Sequence, residues 1–395
     1  LQQEHGWAKP DRFVGNGPYL LDEWRYKRDL RLTPNPFYHD PDRVRSKVIT
    51  AVTIEDTNTA MLAFESGRID WLLDLTADHQ ADVLRQRLAY DERHADELAR
   101  LRAEGLTEAE ALAQLPPPLP GERRDVHPIP AFGTYFMNFN CRPTLADGRP
   151  NPFADPAVRR AFALATNKRT IVEQVTRLNE PIMSTLIPPG SIVGYDSPEG
   201  LPFDPARART ELADAGWNDR DGDGLIEQAT EGAFPVIDFL YTTNTDRDKW
   251  IALNLKDQWE DALGVRVELR AAETKFYKDD LKTGKFMIAR GRWYGDYGDP
   301  TTFLELCRST DGNNDRKFAD PYVDDLLARA DMETGPEKRM ALLEECERYL
   351  FQEALPMIPI HQLVQIDLYD PTKVRGVSHH PRLSQFLWQV EVIDD

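Results

Sequence analysis

The 395-residue chain has only three cysteines, Cys141, Cys307 and Cys346. An odd number cannot pair completely within one chain, and their spacings fit no zinc pattern. Buried free thiols are the simplest expectation, with one disulfide left open in an oxidising compartment. No apolar run approaches the roughly 18–20 residues that cross a bilayer. Basic charge is also short: 48 Lys and Arg face 67 Asp and Glu, a formal net charge of −19. A surface of that sign repels nucleic acid and anionic membranes, so neither is expected as a partner. There is no Gly-x-Ser-x-Gly elbow, no phosphate-binding glycine loop and no His-Glu-x-x-His pair. The eight histidines are scattered, and His379-His380 reads as a solvated turn or a weak transition-metal contact. A hydrolytic carboxylate pair could assemble in space from so many acids, but nothing in the sequence points to one. The first residues, Leu1 to Gly6, have neither the basic nor the apolar region of a secretory signal.

What is present is an ordinary globular composition, 41% hydrophobic and 29% charged, in a chain too long for one core. Residues 13–75 read as strand-rich, with a helix from Thr57 to Ser66 ended by Gly67. Leu84, Leu88, Leu98 and Leu101 fall at helical spacings up to Gly105. Thr107 and Glu110 then form a capping-box pattern before Ala111-Leu112, and Pro116-Pro-Pro118 stops that helix. Residues 78–131 are therefore expected as a helical hairpin insertion, either a surface decoration or a docking arm.

Tyr135–Asn140 reads as a strand. Asp155-Pro156 and Asp204-Pro205 each have the form of an N-cap followed by a helix-starting proline. Lys249–Leu263 is amphipathic and closes at Gly264, with Val265–Leu269 following as a strand. Helix, glycine and strand recur in this way across residues 204–290, which indicates α/β layers. Pro336–Phe351 reads as a helix and Pro356–Ile360 as a strand. Asp219, Asp221, Asp223 and Gly224 match the first half of a calcium loop. Position 12, which needs a bidentate Glu, is Thr230, so a plain Asp/Gly turn competes with that reading.

One segment concentrates binding chemistry. Arg290-Gly-Arg-Trp-Tyr-Gly-Asp-Tyr-Gly-Asp-Pro-Thr-Thr-Phe-Leu304 follows the short apolar run Phe286–Ala289, which reads as a buried strand. Arg290, Asp296 and Asp299 stand among Trp293, Tyr294 and Tyr297. Aromatic walls with a few fixed charges at a strand end can grip a small polar ligand. A tyrosine-, glycine- and aspartate-rich surface turn fits the same composition.

The segment resembles the Trp-x-x-Asp-Tyr-x-(Asp/Glu)-Pro-Thr-x-Phe-Leu motif of extracellular solute-binding proteins of the peptide and nickel class, family 5. Three further blocks agree in order. Gly15-Asn-Gly-Pro-Tyr-Leu-Leu-Asp-Glu-Trp24 with Leu32–Tyr38 is similar to the family's Gly-x-Gly-Pro-Tyr block and its sequel. Phe64-Glu-Ser-Gly-Arg-Ile-Asp70 resembles its Phe-x-x-Gly-x-x-Asp segment. Asn138–Asn140, Phe153–Phe162 and Ala165–Arg169 resemble the strand and helix that enter the second lobe.

The resemblance implies a type II periplasmic-binding-protein-like α/β fold, a Venus flytrap of two lobes joined by two crossing segments near Asn138–Cys141 and Pro359–Gln362. Residues 1–137 and 361–395 are expected in lobe I and residues 138–360 in lobe II. It implies a monomeric extracytoplasmic receptor that captures peptides without breaking a bond, needs no cofactor or metal, and delivers its load to an ABC permease. Another solute (a nickel chelate, a sugar or an opine) and a cleft hydrolase are the alternatives. Asp296 is implied to bind the peptide's free amino group. Arg290 is implied to meet its carboxylate, Arg292 and Tyr294 to lend backbone groups, and Trp293, Tyr294 and Tyr297 to form walls. Since the Gly-x-Gly-Pro-Tyr block lies well inside family members, the chain is expected to be the C-terminal part of a longer protein.

Overall fold

The computed structural model describes residues 6, 9, 10, 12–73, 75, 77–229 and 232–393, with the backbone alone at 77 and 78. The chain divides into two compact units. One runs up to Ile129 and resumes at Gln365; the other is Pro130–Val364.

The first unit begins with strands β1 (Tyr19–Arg25), β2 (Asp29–Pro34) and β3 (Ile49–Val52), an antiparallel sheet in the order β1-β2-β3. Helix α1 (Thr57–Glu65) is started by Asp56, whose carboxylate accepts the Thr59 N–H at 2.7 Å. After the short strand β4 (Trp71–Leu72) come α2 (Ala77–Arg93), α3 (Ala95–Ala103) and α4 (Glu108–Gln114). The run expected as one helix is thus two. It breaks at His94, and Asp96 and Glu97 open a new first turn, where acidic side chains complement the helix dipole. The capping box forms as read: the Thr107 N–H donates to Glu110 at 2.8 Å and the Glu110 N–H donates to the Thr107 hydroxyl at 3.4 Å.

These helices close a small core of their own from Tyr90, Leu98, Leu101, Ala111, Leu112 and Leu115. Arg87 is buried beside it, paired with Asp91 at 2.7 Å and bonded to Glu108 and to the Val126 carbonyl. The helical region therefore ends sooner than residue 131, because strand β5 (Val126–Phe139) begins at Val126. Pro128 and Pro130 disguise its first half, but both are exposed while Val126, Ile129 and Ala131 are buried. Proline is tolerated in a strand where its missing N–H has no ladder partner to supply.

The chain enters the second unit within β5. There follow α5 (Pro156–Leu164), the single turn α6 (Lys168–Thr170) and α7 (Pro205–Asp214). Asp155 and Asp204 cap α5 and α7 by accepting the N–H of Ala157 and of Arg207. A hairpin of β6 (Glu227–Gln228) and β7 (Gly232–Ala233) precedes β8 (Ile237–Thr242), α8 (Asp246–Leu263), β9 (Val267–Ala272), α9 (Thr274–Thr283) and β10 (Ile288–Tyr294). Helices α10 (Thr301–Leu304), α11 (Pro321–Met332) and α12 (Pro336–Tyr349) lead to β11 (Met357–Tyr369), along which the chain leaves this unit. The strands β12 (Val374–Arg375) and β13 (Glu391–Val392) pair in the first unit.

Within the second unit the strand order is β11-β5-β10-β8-β9. β10 runs antiparallel to β5 and parallel to β8, and β8 runs parallel to β9. Helix α8 buries Ile251, Ala252, Leu255, Trp259 and Leu263, the spacing of one helical face. It ends at Gly264, whose φ of +67° is the left-handed conformation that glycine adopts without strain. An aromatic layer of Phe139, Phe153, Phe162, Phe239 and Trp259 packs against the helices. The divisions at 129/130 and 364/365 lie within β5 and β11, the two strands along which the chain enters and leaves the second unit.

Candidate functional site

β10 brings most of the expected site residues onto one strand of the second unit. Its register with β5 places Arg290 opposite Met137, Arg292 opposite Tyr135 and Tyr294 opposite Gly133. Directly opposed residues share a face and alternate residues change face. Arg290, Arg292 and Tyr294 therefore lie on one side of the sheet, and Gly291 and Trp293 on the other. Trp293 packs against a buried cluster that includes Phe132, Phe136, Phe303 and Leu304, and its indole N–H donates to the Thr302 carbonyl at 2.7 Å. The structure thus separates Trp293 from the three side chains with which the sequence grouped it.

Arg290 is buried. Its Nε donates to Asp248 Oδ2 at 2.9 Å, and the Tyr135 hydroxyl donates to Asp248 Oδ1 at 2.9 Å. The guanidinium lies 5.9 Å from the Tyr135 ring centre and 5.7 Å from that of Tyr277, whose hydroxyl donates to the Arg290 carbonyl. Asp248 stands in the first turn of α8. Burial and then the Asp248 charge raise the Tyr135 phenol well above its ordinary value, so it stays a donor.

A second buried group adjoins the first. Glu180 accepts the Thr176 hydroxyl at 2.6 Å and pairs with Arg247, which also donates to His361 Nε2 at 3.1 Å. Since arginine only donates and a carbonyl only accepts, His361 carries its proton on Nδ1, which donates to the Gln362 carbonyl at 2.8 Å. Burial and then the Arg247 charge push the imidazole down to about 4, so it is neutral near pH 7. Its ring stacks on Tyr135 at 5.1 Å.

Past β10 the chain turns under tight control. The Gly295 N–H donates to the Phe132 carbonyl at 2.8 Å and the Asp296 N–H to the Thr302 hydroxyl at 2.9 Å. Asp299 accepts the N–H and hydroxyl of Thr301 and forms a two-point pair with Arg339. Those bonds outweigh burial and hold its carboxyl below the usual range. Asp296, in contrast, is exposed, as are Arg292, Tyr294 and Tyr297; the Tyr297 hydroxyl lies 3.3 Å from that of Thr301. Of the segment's two aspartates, Asp299 builds the turn and Asp296 is presented on it.

The remaining candidates resolve as local structure. In the Asp219–Glu227 turn, Asp219 accepts the N–H of Gly222 and Gly224, Asp221 that of Asp223, and Asp223 that of Leu225. Carboxylate oxygens of Asp219, Asp221 and Glu227 come within 4.8 Å of one another, the only such grouping among the described residues, and Thr230 lies outside them. His379 is half-buried with Nε2 2.8 Å from the Tyr369 hydroxyl, while His380 accepts the Arg382 N–H. All three cysteines are free thiols. Burial pushes Cys307 up to about 11.

The mixed α/β architecture is that of type II periplasmic binding proteins. It aligns with the Escherichia coli murein tripeptide binding protein MppA at a TM-score of 0.70 and 26% identity, covering 100% of this chain and 68% of that one. Residues 2–315 match the bacterial extracellular solute-binding proteins, family 5 Middle, and the chain belongs to that family. It is 27% identical over 379 residues to the dipeptide-binding protein DppE of Bacillus subtilis, across 95% of this chain and 60% of that protein. It is also 27% identical over 388 residues to the probable deoxycholate-binding periplasmic protein YgiS of Escherichia coli, across 96% of this chain and 61% of that protein. The chain thus spans about 60% of the length of these relatives.

Sequence reasoning missed Asp248, Tyr135, Tyr277, Glu180 and Arg247, and left His361 among scattered histidines. The one available signal was Asp246-Arg-Asp248 after Thr245, which reads only as the acidic first turn of a capped helix.

Proposed function

We propose that this chain captures peptides, as the ligand-gripping part of an extracytoplasmic solute-binding protein that delivers its load to an ABC permease. The observation that carries this reading is the end of β10. A strand that is buried up to Gly291 and paired with β8 only at Ile288 and Ala289 runs on, still paired with β5, into exposed Arg292 and Tyr294, then into a turn that presents Asp296. An extended ligand can bond to such an exposed strand through its backbone, which gives affinity for many sequences. A carboxylate enclosed with the ligand needs a cation, and a peptide ammonium supplies one. Family membership supports the class, and DppE and MppA support peptide as the ligand.

In this reading residues 138–360 form lobe II, and residues 1–137 and 361–395 belong to lobe I. The protein breaks no bond, works without metal or cofactor, and acts as a monomer. Asp296 receives the amino group, Arg292 and Tyr294 lend backbone groups, and Tyr294 and Tyr297 form walls. Trp293 shapes the site from the opposite face. A second reading, a non-peptide solute, draws on the equal identity to YgiS. Native mass spectrometry of the complete protein separates them: a co-purifying mass that fragments into amino acids supports peptide capture, and a steroid or a metal chelate overturns it.

A further inference from the structure

The Asp248–Arg290 pair bears on which peptides such a site accepts. Both side chains are nearly sealed, at 4% and 11% exposure. Asp248 fills both carboxylate oxygens, one with Arg290 and one with Tyr135, and two tyrosine rings flank the guanidinium. The neighbouring cation, the half-buried Arg247, is matched by the buried Glu180, and His361 beside it is neutral. The whole group therefore carries two cations, two carboxylates and no surplus charge. An anion that took Arg290 from Asp248 would strand a buried carboxylate, and breaking a buried pair from one side is strongly unfavourable.

We propose that Asp248 is a specificity-determining residue: by closing Arg290 into a neutral pair it makes the site indifferent to a ligand's terminal carboxylate at the start of β10. The ligands it favours are peptides recognised through amino group and backbone, whether their far end is a free acid, an amide or further chain. This rests on the peptide-capture reading above.

The test is calorimetry on the complete protein with trialanine and tetra-alanine, each as free acid and as C-terminal amide. The wild type should bind acid and amide within about threefold, ~0.65 kcal/mol. Asp248→Asn leaves Arg290 uncompensated and should prefer the free acid by at least about tenfold. Tyr135→Phe keeps the pair and should leave the ratio unchanged. A wild-type preference of about tenfold or more for the free acid overturns the inference, as does an Asp248→Asn protein that folds and shows no new preference. Should Asp248→Asn fail to fold, the wild-type ratio still decides. Should no peptide bind, the peptide reading fails and acetate becomes the probe. An Arg290 Nε–H proton signal, identified by its loss in Arg290→Lys, that acetate does not move upholds the closed pair; one that acetate moves overturns it.

Discussion

Glu347, on α12, accepts the Tyr195 hydroxyl at 2.5 Å inside the second unit. Its other oxygen accepts the N–H of Leu186 at 2.9 Å and of Ile187 at 2.8 Å. One side chain thus satisfies the buried backbone of a loop more than 150 residues away in sequence. Burial outweighs these bonds and pushes its carboxyl up to about 7.

That shift sets a pH dependence. A carboxyl of ordinary value 4.5 that titrates near 7 in the fold binds its proton more tightly folded than unfolded. Its contribution is full below 4.5 and is lost as pH rises to about 7, a change of about 3 kcal/mol. His361, lowered from 6.5 to about 4, works the other way, so the informative quantity is the difference between wild type and variant. Glu347→Gln should remove this falling component from urea-melt stabilities measured across that window. An unchanged pH profile would contradict it.

Gly291 has no room for a side chain. A Cβ there would stand 2.3 Å from a Phe136 ring carbon and 2.7 Å from Asn138 Nδ2. Gly291→Ala should cost about 1–3 kcal/mol of overpacking, seen as a lower denaturant midpoint. A midpoint equal to wild type would show that β10 and β5 are less tightly joined.

Trp293 should behave as a packing residue first. Trp293→Phe loses the Thr302 hydrogen bond and part of the contact with the Phe132–Phe303 cluster, a cost of about 1–2 kcal/mol in chemical denaturation. Unaltered stability combined with lost ligand affinity would make it a wall of the site instead.

Cys307 and Cys346 are buried, and burial raises both thiols. Since the thiolate is the reactive form, neither should be alkylated by iodoacetamide at pH 8 in the native protein, and both should be in denaturant. Native labelling at wild-type stability would contradict the buried placement.

Local signals in the sequence carried over well. Aspartate-proline pairs, the Thr107–Glu110 box and the glycine after Leu263 each act within a few residues, and the helices at Pro156, Pro205, Asp246 and Glu108 start or stop accordingly. Strand lengths were less legible. β11 continues through Gln362, Gln365 and Asp367, polar residues that break an apolar run without breaking a strand. Least legible was the surrounding of Arg290. Its partner Asp248 is 42 residues away, and only the meeting of α8 with β10 brings them together. The motif identified the segment, whereas the charge state of its first arginine is a property of the fold.

The measurement that tests peptide capture most directly is calorimetry of the complete protein and its Asp296→Asn variant with free and N-acetylated peptides. Removing one partner of an enclosed charged pair costs about 2–5 kcal/mol. Asp296→Asn should therefore bind free peptide more than about tenfold more weakly, with fold stability little changed. The wild type should bind N-acetylated peptide as poorly as the variant binds the free one. Equal wild-type affinity for free and acetylated peptide would contradict the role of Asp296 and the account built on it.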